Sequence, residues 1–238
     1  MVANVSLVTG LSGEEVVERL FSPGEPETIR IEPLGGAEIT VRPGTSDILV
    51  LVDTFVSGYH LPPPDVKPRV ILDLGSNIGT TIAHFAHLYG DVKVFGVELD
   101  AESAELCAKN IAPWGDRCQV LQTAVAATDG MNRYDRRAGN EWGFRIGSGS
   151  SPVRTVSIDS LVGQFGLSEI DYLKMDIEGA ERDVLRSGGQ WPERVRSLKV
   201  ELHDQYTVEE AFEDLAKLGF VCERDDKHWA CVVARRAG

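Results

Sequence analysis

Basic residues are scarce in this sequence of 238 residues. The 24 lysines and arginines stand against 37 aspartates and glutamates, which gives a net charge of −13 at pH 7. A surface that follows a phosphate backbone needs the opposite sign, so we expect no nucleic-acid partner. An anionic membrane surface is disfavoured for the same reason.

Long apolar runs and paired cysteine motifs are missing as well. Ile48–Val52 is five residues long, whereas a spanning helix needs about 20, so we expect no membrane anchor. No basic residue precedes the apolar stretch of the first ten residues, which is unlike a secretory signal. The four cysteines show no C-x-x-C spacing, which argues against a zinc knuckle or a disulfide framework and favours a reducing, cytoplasmic location.

The sequence does contain enough apolar material for a sizeable core. Apolar residues make up 42% and charged residues 26%, close to an ordinary globular protein, so disorder is not expected. At roughly 100–200 residues per domain, the length indicates one large domain with a small appendage.

The beginning of the chain predicts a helix and a hairpin. Ser12 and Glu15 form a capping box ahead of apolar residues at helical spacing. Apolar and polar residues then alternate on both sides of a Gly-Gly turn within 28–42, which predicts a hairpin. A three-residue loop would place Ile31 opposite Ile39.

A second helix and a linker complete this region. The spacing of apolar residues predicts a helix over Ile48–Tyr59. The Leu61–Pro64 segment is stiff and extended, which is typical of a linker. We therefore divide the chain into an N-terminal lid or extension, 1–65, and a main domain, 66–238.

From residue 69 onward, short apolar runs alternate with one-sided helical patterns, which predicts an α/β fold with helices on both faces of a parallel sheet. The predicted elements are strands at Val70–Leu74, Val92–Val97, Gln119–Val125, Ile170–Met175 and Val195–Leu202, and helices at Ile78–Tyr89, Ala101–Asn110, Ala180–Ser187 and Val208–Leu218.

The end of the chain and one internal segment depart from this alternation. Two strands follow one another directly at Phe220–Arg224 and Trp229–Arg235, which predicts a terminal hairpin. Its four-residue loop would place Cys222 opposite Cys231. The polar, glycine-rich segment Gly130–Ser151 predicts a loop whose Trp142 and Phe144 close over a substrate.

The strongest functional motif is Asp73-Leu74-Gly75-Ser76-Asn77-Ile78-Gly79, where a buried strand ends and a helix begins. Its glycines allow a tight turn and close approach of a ligand to the backbone, and the helix N-terminus offers free N–H groups. The spacing is not that of a dinucleotide fingerprint, and the acid at its start would repel a pyrophosphate. An acid suits the ammonium and sulfonium of S-adenosylmethionine.

A second acid supports this interpretation. Glu98 ends the next strand, where a carboxylate can accept both hydroxyls of a ribose. We assign Asp73, Gly75, Ser76, Asn77, Gly79 and Glu98 to the cofactor site, and add Leu99, Ala124 and Asp47. A plain glycine turn and a solvated surface acid are the alternative interpretations of the two motifs.

Candidate catalytic residues follow two later strands. Lys174 and Asp176 project to one side of an extended strand, as do Glu201 and His203. Because ligands bind beyond the carboxyl ends of such strands, these groups converge beside the cofactor. Such a set can bind a divalent cation or deprotonate a hydroxyl. A helix cap for Asp176 and a structural hydrogen bond for His203 are the alternatives, and Glu181 is most simply a first-turn helix acid.

Together these motifs resemble the FkbM family of S-adenosylmethionine-dependent methyltransferases. The similarity is carried by D-L-G-S-N-I-G, L-K-M-D-I-E-G-A-E and V-E-L-H and covers about residues 40–235. The resemblance implies a Rossmann-like class I fold, with a seven-stranded, mostly parallel sheet and a C-terminal antiparallel hairpin. It also implies O-methylation in natural-product or glycan biosynthesis. Leu99 departs from the proline that more often follows the family's acid.

We therefore expect methyl transfer to a hydroxyl of a small molecule, with Asp176, His203, Glu178 and Lys174 as catalytic residues. Either Asp176 with His203 or Asp204 holds Mg²⁺, or His203 removes the proton without a metal. A homodimer is a candidate assembly. A nicotinamide-dependent oxidoreductase and a non-catalytic cofactor-binding subunit are the alternative functions.

Overall fold

The computed structural model describes residues 1–136, 144–146 and 151–237. No helix within these ranges is long and apolar enough to cross a membrane. The described helices are α1 (Val2–Thr9), α2 (Gly13–Leu20), α3 (Asp47–Val52), α4 (Thr80–Leu88), α5 (Ala101–Ile111), α6 (Ile158–Phe165), α7 (Glu181–Ser187) and α8 (Val208–Lys217). A π-helical turn extends α3 over Asp53–Ser57, and 3-10 turns occur at Glu32–Leu34, Ala112–Arg117 and Trp191–Arg194.

The strands form three sheets, of which the largest has seven strands. The strands are β1 (Glu27–Ile31), β2 (Ala37–Val41), β3 (Val70–Leu74), β4 (Lys93–Glu98), β5 (Cys118–Gln122), β6 (Ala124–Val125), β7 (Gly130–Arg136), β8 (Phe144–Ile146), β9 (Ser151–Val156), β10 (Ile170–Met175), β11 (Val195–Glu201), β12 (Phe220–Arg224) and β13 (Cys231–Arg236). The large sheet has the order β12-β13-β11-β10-β3-β4-β5. Its pairs are parallel from β11 to β5 and antiparallel at β13 and β12. The predicted class I fold with its terminal hairpin is confirmed.

The two central strands, β3 and β10, show why this sheet could be predicted from the sequence. Residues 71–74 of β3 are all buried, as are residues 172–175 of β10. Helices cover both faces, so apolar side chains are needed at nearly every position. Because β3 and β10 are parallel neighbours, with Lys174 beside Asp73, their carboxyl ends and the loops that follow meet at one edge.

The N-terminal extension differs from its prediction in two places. The capping box of Ser12 and Glu15 is present at α2, but the sequence analysis did not predict α1. The hairpin of β1 and β2 pairs Ile31 with Ala37 and Ile29 with Ile39, so the expected Ile31–Ile39 pairing is wrong. The loop is longer than predicted because a 3-10 turn forms before the two glycines. The shift is by two residues, so the same side chains still face the core.

The extension packs on the large domain through buried polar contacts as well as apolar ones. Asn110 of α5 accepts from Thr40 N (2.7 Å) and donates to Thr40 O and Ile78 O (both 2.9 Å). The apolar core of the extension includes Ile78, which lies in the loop before α4. Whether residues 1–65 form a separate functional unit stays a prediction.

A small second sheet replaces much of the predicted loop. Strands β6, β9, β7 and β8 form a four-stranded sheet, so Gly130–Arg136 and Ser151–Val156 are strands. Met131 is 72% exposed and its neighbours are polar, so this edge lacks the apolar alternation that reveals a strand. Trp142, and with it the proposed closure over a substrate, lies outside the described residues.

The terminal hairpin has a different register from the one predicted. Cys222 pairs with Ala234, and Cys231 pairs with Glu201 of β11. The prediction that the two cysteines face each other is wrong because the loop extends to Ala230. A hydrogen bond from His228 N to Asp225 Oδ2 (3.1 Å) helps to hold this longer loop.

Candidate active site

The glycine loop, residues 75–79 between β3 and α4, is shaped by backbone contacts. The N–H groups of Gly75 and Ser76 both donate to the carbonyl of Val97, at 2.9 and 3.0 Å. Gly75 has a φ of 85°, and a Cβ there would lie 1.8 Å from the carbonyl oxygen of Asp176. Only glycine fits at this position. The loop therefore passes directly over the end of β10, which joins the first motif to the second.

Asp73 is buried beneath this loop. Its Oδ2 accepts from Thr81 Oγ1 at 2.5 Å, and its Oδ1 lies 3.4 Å from Lys174 Nζ. Burial raises the pKa of Asp73, against the attraction of Lys174. The same ammonium lies 3.3 Å from Asp176 Oδ2 and donates to Gly75 O at 3.1 Å. One buried lysine thus holds two acids and the glycine loop together.

Glu98 organises the far side of the same loop. Its two oxygens accept from the backbone N–H groups of Asn77 and Asp100, each at 2.8 Å. Burial raises the pKa of Glu98 to about 7, although both backbone hydrogen bonds lower it. Each carboxylate oxygen has further acceptor capacity. Asn77 has a φ of 47°, and its buried Oδ1 has no hydrogen-bond partner within the described ranges.

Three predicted cofactor residues, Leu99, Ala124 and Asp47, do not belong to the glycine loop. Leu99 is half-buried, and its carbonyl accepts from Gln122 Nε2. Ala124 is buried at the start of β6. Asp47 is fully buried. Its carboxylate accepts hydrogen bonds from the backbone N, Nε and Nη2 of Arg42, at 2.8–2.9 Å. Arg42 satisfies that carboxylate inside the extension, and a cofactor contact at Asp47 stays a prediction.

Asp176, Glu178 and His203 converge where β10 and β11 end. Nε2 of His203 lies 3.7 Å from Asp176 Oδ1 and 3.7 Å from Glu178 Oε2. One ligand atom from each of the three residues lies within 4.8 Å of the others. Glu178 has a φ of 56°, a backbone conformation that non-glycine residues rarely adopt. The predicted meeting of these strand ends is therefore present, and the set can bind a divalent cation.

Buried Glu181 supports this cluster by hydrogen bonds to the turn before α7 and to His203. Its carboxylate is 1% exposed and accepts from the N–H groups of Ile177 and Gly179. Its Oε1 also lies 3.0 Å from Nδ1 of His203. From the sequence, Glu181 was predicted to be a first-turn helix acid, and this role was not predicted. Its spacing of five residues from Asp176 gave no signal, because the intervening turn is irregular.

The carboxylates determine the charge of His203. Burial lowers its pKa, but the Glu181 hydrogen bond and the charges of Glu181, Asp176 and Glu178 outweigh burial and raise the pKa to about 10. His203 is therefore a cation at neutral pH. Burial and the charge of Asp176 raise the pKa of the nearby Glu201 to about 8. Asp204 is exposed and has a φ of 58°. It does not belong to the described set of converging ligands.

A cavity of about 380 Å³ opens in front of this cluster. The cluster and the glycine loop form its floor, the extension contributes one wall, and the loop after β12 contributes another. The wall residues are Val50, Asp53, Ser57 and Tyr59 from the extension, and Lys227 and His228 from the loop. Buried Lys199 joins these walls, since its Nζ donates to Tyr59 O at 2.6 Å and to Asp225 Oδ2 at 3.1 Å.

The glycine loop and the cluster lie within one family domain, which also contributes most of the residues that line the cavity. Residues 73–225 match the model of the methyltransferase FkbM domain, which is more than half of the chain. The chain belongs to the FkbM methyltransferase family. The resemblance seen in the motifs is thereby confirmed.

Two curated relatives of this FkbM domain protein carry O-methyltransferase names. The 2-O-methyltransferase NoeI of Sinorhizobium fredii is 29% identical over 161 residues, which are 59% of this chain and 65% of that protein. The O-methyltransferase imqG of Aspergillus flavus is 29% identical over 140 residues, 49% of this chain and 56% of that protein. The match spans less than two thirds of the length of either relative.

The solved structures that match this chain include a fibrillarin pre-rRNA processing protein from Methanococcus jannaschii, with a TM-score of 0.49 and 14% sequence identity. The comparison covers 88% of this chain and 81% of that one.

Proposed function

We propose that this chain transfers a methyl group from S-adenosylmethionine to a hydroxyl oxygen of a small molecule. The observation that carries the proposal is the cavity where the glycine loop meets Asp176, Glu178 and His203. Membership of the FkbM family supports methyl transfer, and the names of two curated relatives, NoeI and imqG, support oxygen as the acceptor atom. The acidic surface, with a net charge of −13, supports an acceptor other than nucleic acid.

The residues around the glycine loop fit the cofactor. Gly75, Ser76 and Asn77 line the cavity, and the unpartnered Asn77 Oδ1 offers an acceptor for an ammonium or hydroxyl group. Glu98 has acceptor capacity for ribose hydroxyls beyond its two backbone bonds. When bound, S-adenosylmethionine supplies the methyl group on its sulfonium. We expect a dissociation constant in the micromolar range, about −8 kcal/mol.

Lys174 has a positioning role in this proposal. Burial lowers its pKa, but the neighbouring Tyr59, Asp73 and Asp176 outweigh burial and raise the pKa well above its usual range. The group therefore stays charged and cannot accept a proton. Its contacts with Asp73, Asp176 and Gly75 keep the cofactor loop and the cluster in register.

The acceptor proton can be handled in two ways, and the geometry of His203 favours the metal. Glu181 at 3.0 Å holds Nδ1, which leaves Nε2 directed towards Asp176 and Glu178. A carboxylate on the far nitrogen is the usual support for a metal-binding histidine. Asp176, Glu178 and His203 would then hold Mg²⁺ or Mn²⁺, and such an ion lowers the pKa of a hydroxyl. Asp204, the other predicted ligand, is the weaker candidate because it is exposed.

The arrangement without a metal needs a different base from the one the sequence indicated. A histidine with a pKa of about 10 already carries its proton at neutral pH. In that arrangement, Asp176 accepts the proton and His203 orients the carboxylate by its charge.

Because the extension forms one wall of the cavity, we propose that residues 1–65 select the acceptor.

Two observations weigh against the alternative functions. The buried acid Asp73 lies at the start of the glycine loop, which suits a cationic ligand and opposes the pyrophosphate of a nicotinamide cofactor, and the sheet closes with the antiparallel hairpin of β12 and β13. A non-catalytic subunit has no use for the strained turn at Glu178 or for the carboxylates around His203. Calorimetry that finds tight NAD binding and no binding of S-adenosylhomocysteine would overturn the proposal.

The decisive experiment measures methyl transfer from isotopically labelled S-adenosylmethionine to a panel of hydroxyl compounds. In the metal arrangement, EDTA abolishes turnover, Mg²⁺ or Mn²⁺ restores it, and Asp176→Asn costs more than His203→Ala. Without a metal, EDTA has no effect and Asp176→Asn lowers the rate by about 10²–10⁴. Asp183→Asn, an exposed acid on α7, is the matched control. Rates within about threefold of wild type for both Asp176→Asn and His203→Ala would refute both arrangements.

A further inference from the structure

A second group of potential ligands lies beside the cavity, on the strands that close the sheet. Glu201, His228 and Cys231 each place one ligand atom within 4.8 Å of the others. None of the three belongs to the set of Asp176, Glu178 and His203. The new group combines a carboxylate, an imidazole and a thiol, which hard cations such as Mg²⁺ do not favour and zinc does.

The sheet brings these three residues together by its register. Glu201 and Cys231 are paired across β11 and β13, so their side chains project from the same face. His228 lies three residues before Cys231, and the turn brings its Nδ1 to 3.4 Å from Cys231 Sγ. Nitrogen and sulfur ligands on a tetrahedral zinc ion are about 3.5 Å apart, as follows from bond lengths of about 2.1 and 2.3 Å.

The loop that carries His228 is held in place without a metal. Cys231 N donates to His228 O at 2.9 Å, and His228 N donates to Asp225 Oδ2 at 3.1 Å. Asp225 is in turn bound by buried Lys199. The imidazole also packs beside the ring of Tyr59, with ring centroids 6.0 Å apart. The ligands are thus preorganised, so binding requires little ordering of the chain.

We propose that Glu201, His228 and Cys231 form a binding site for a zinc-class divalent cation. Glu201 and His228 line the cavity, whereas Cys231 is buried behind them, so the fourth coordination position faces the cavity. Binding displaces the thiol proton of Cys231 to solvent, and the thiolate becomes the ligand. The proposal does not depend on methyl transfer, because its test measures binding alone.

Cobalt is the probe, because a thiolate ligand gives Co²⁺ an intense charge-transfer band in the near ultraviolet. We expect one equivalent of Co²⁺ to produce the band and Zn²⁺ to displace it. Cys231→Ser should abolish the band, and His228→Ala, a change in a loop, should weaken zinc binding at least tenfold in a chelator competition. Cys222→Ser is the matched control and should keep both properties.

The outcomes separate this site from the neighbouring cluster. Cobalt bound only by Asp176, Glu178 and His203 gives no thiolate band. A wild-type protein without the band, or a band that survives Cys231→Ser, would overturn the proposal. So would unchanged zinc affinity in His228→Ala, a variant whose folding can be verified by its unfolding curve.

Discussion

Replacing Glu181 by glutamine removes the charge that most directly sets the ionisation of His203. Glutamine has nearly the same shape, and its carbonyl oxygen, in the place of Oε1, can still accept from Ile177 N (2.9 Å) and Gly179 N (3.3 Å), although the 3.0 Å bond from Gly179 N to Oε2 is lost. The turn that carries Glu178 therefore keeps one hydrogen bond from each of the two N–H groups. What is lost is the anion 3.0 Å from Nδ1 of His203.

The size of the effect follows from the pKa of His203. The pKa is about 10 in the folded chain, against an ordinary value of 6.5. A raised histidine pKa stabilises the fold fully below pH 6.5, and this contribution is lost as the pH rises through about 10. The net contribution of the surrounding charges is on the order of 5 kcal/mol. A charge-assisted hydrogen bond accounts for about 1.5–3 kcal/mol of it, which is the expected loss in Glu181→Gln below pH 6.5.

Two measurements test this expectation. In protein freed of metal by EDTA, NMR of ¹³C-labelled histidine should show one imidazole that stays protonated past pH 9 in the wild type and titrates at lower pH in Glu181→Gln. His203→Gln identifies that signal. Urea unfolding near pH 6 and near pH 11 should show the variant's deficit at the lower pH and its reduction at the higher one.

Asp183→Asn is the control for these measurements, since it removes an exposed acid from the same helix. It should leave the His203 titration unchanged. If Glu181→Gln also leaves the titration unchanged, or loses the same stability at both pH values, the carboxylate does not set the charge of His203 and the argument is refuted.

Three further changes probe the loop and the extension. Glu98→Gln should weaken binding of S-adenosylhomocysteine by about 1.5–3 kcal/mol in calorimetry, and wild-type affinity should fall as the pH drops through about 7; equal affinities, or no pH dependence, would contradict the assigned role. Gly75→Ala should lower the free energy of unfolding by more than about 2 kcal/mol, because its Cβ meets Asp176 O, whereas Gly90→Ala, with open space around it, should not. Asn110→Ala should cost about 2–4 kcal/mol in urea unfolding by orphaning the buried N–H and C=O of Thr40, and an unchanged midpoint would show that Asn110 does not attach the extension.

Prediction from sequence succeeded where a strand is covered on both faces. β3 and β10 have the predicted bounds, since buried positions in succession leave an unbroken apolar signal. The catalytic candidates followed from the same strands, because the edge where parallel strands end is fixed by the fold. The predicted convergence of Asp176 and His203 needed no knowledge of side-chain contacts.

Prediction failed where local patterns leave several solutions. Both hairpin registers depend on loop length, and a 3-10 turn at Glu32–Leu34 and an extended loop before Cys231 changed them. The helix α6 was missed although Ser157 caps it and Ile158, Leu161 and Val162 are buried at helical spacing, a signal that the sequence does carry. The role of Glu181 arises from an irregular turn, which has no periodicity to read.

The ammonium of Lys199 has a consequence for how new acceptors could be accommodated. It bonds Tyr59 O in the extension and Asp225 in the last loop, two places 166 residues apart in the chain. Lys199 therefore fixes the distance between the two walls of the cavity. A mutation that widens one side strains the other, so libraries that vary the two segments separately should return mostly inactive clones. Paired randomisation of both segments is the productive route to altered substrate range.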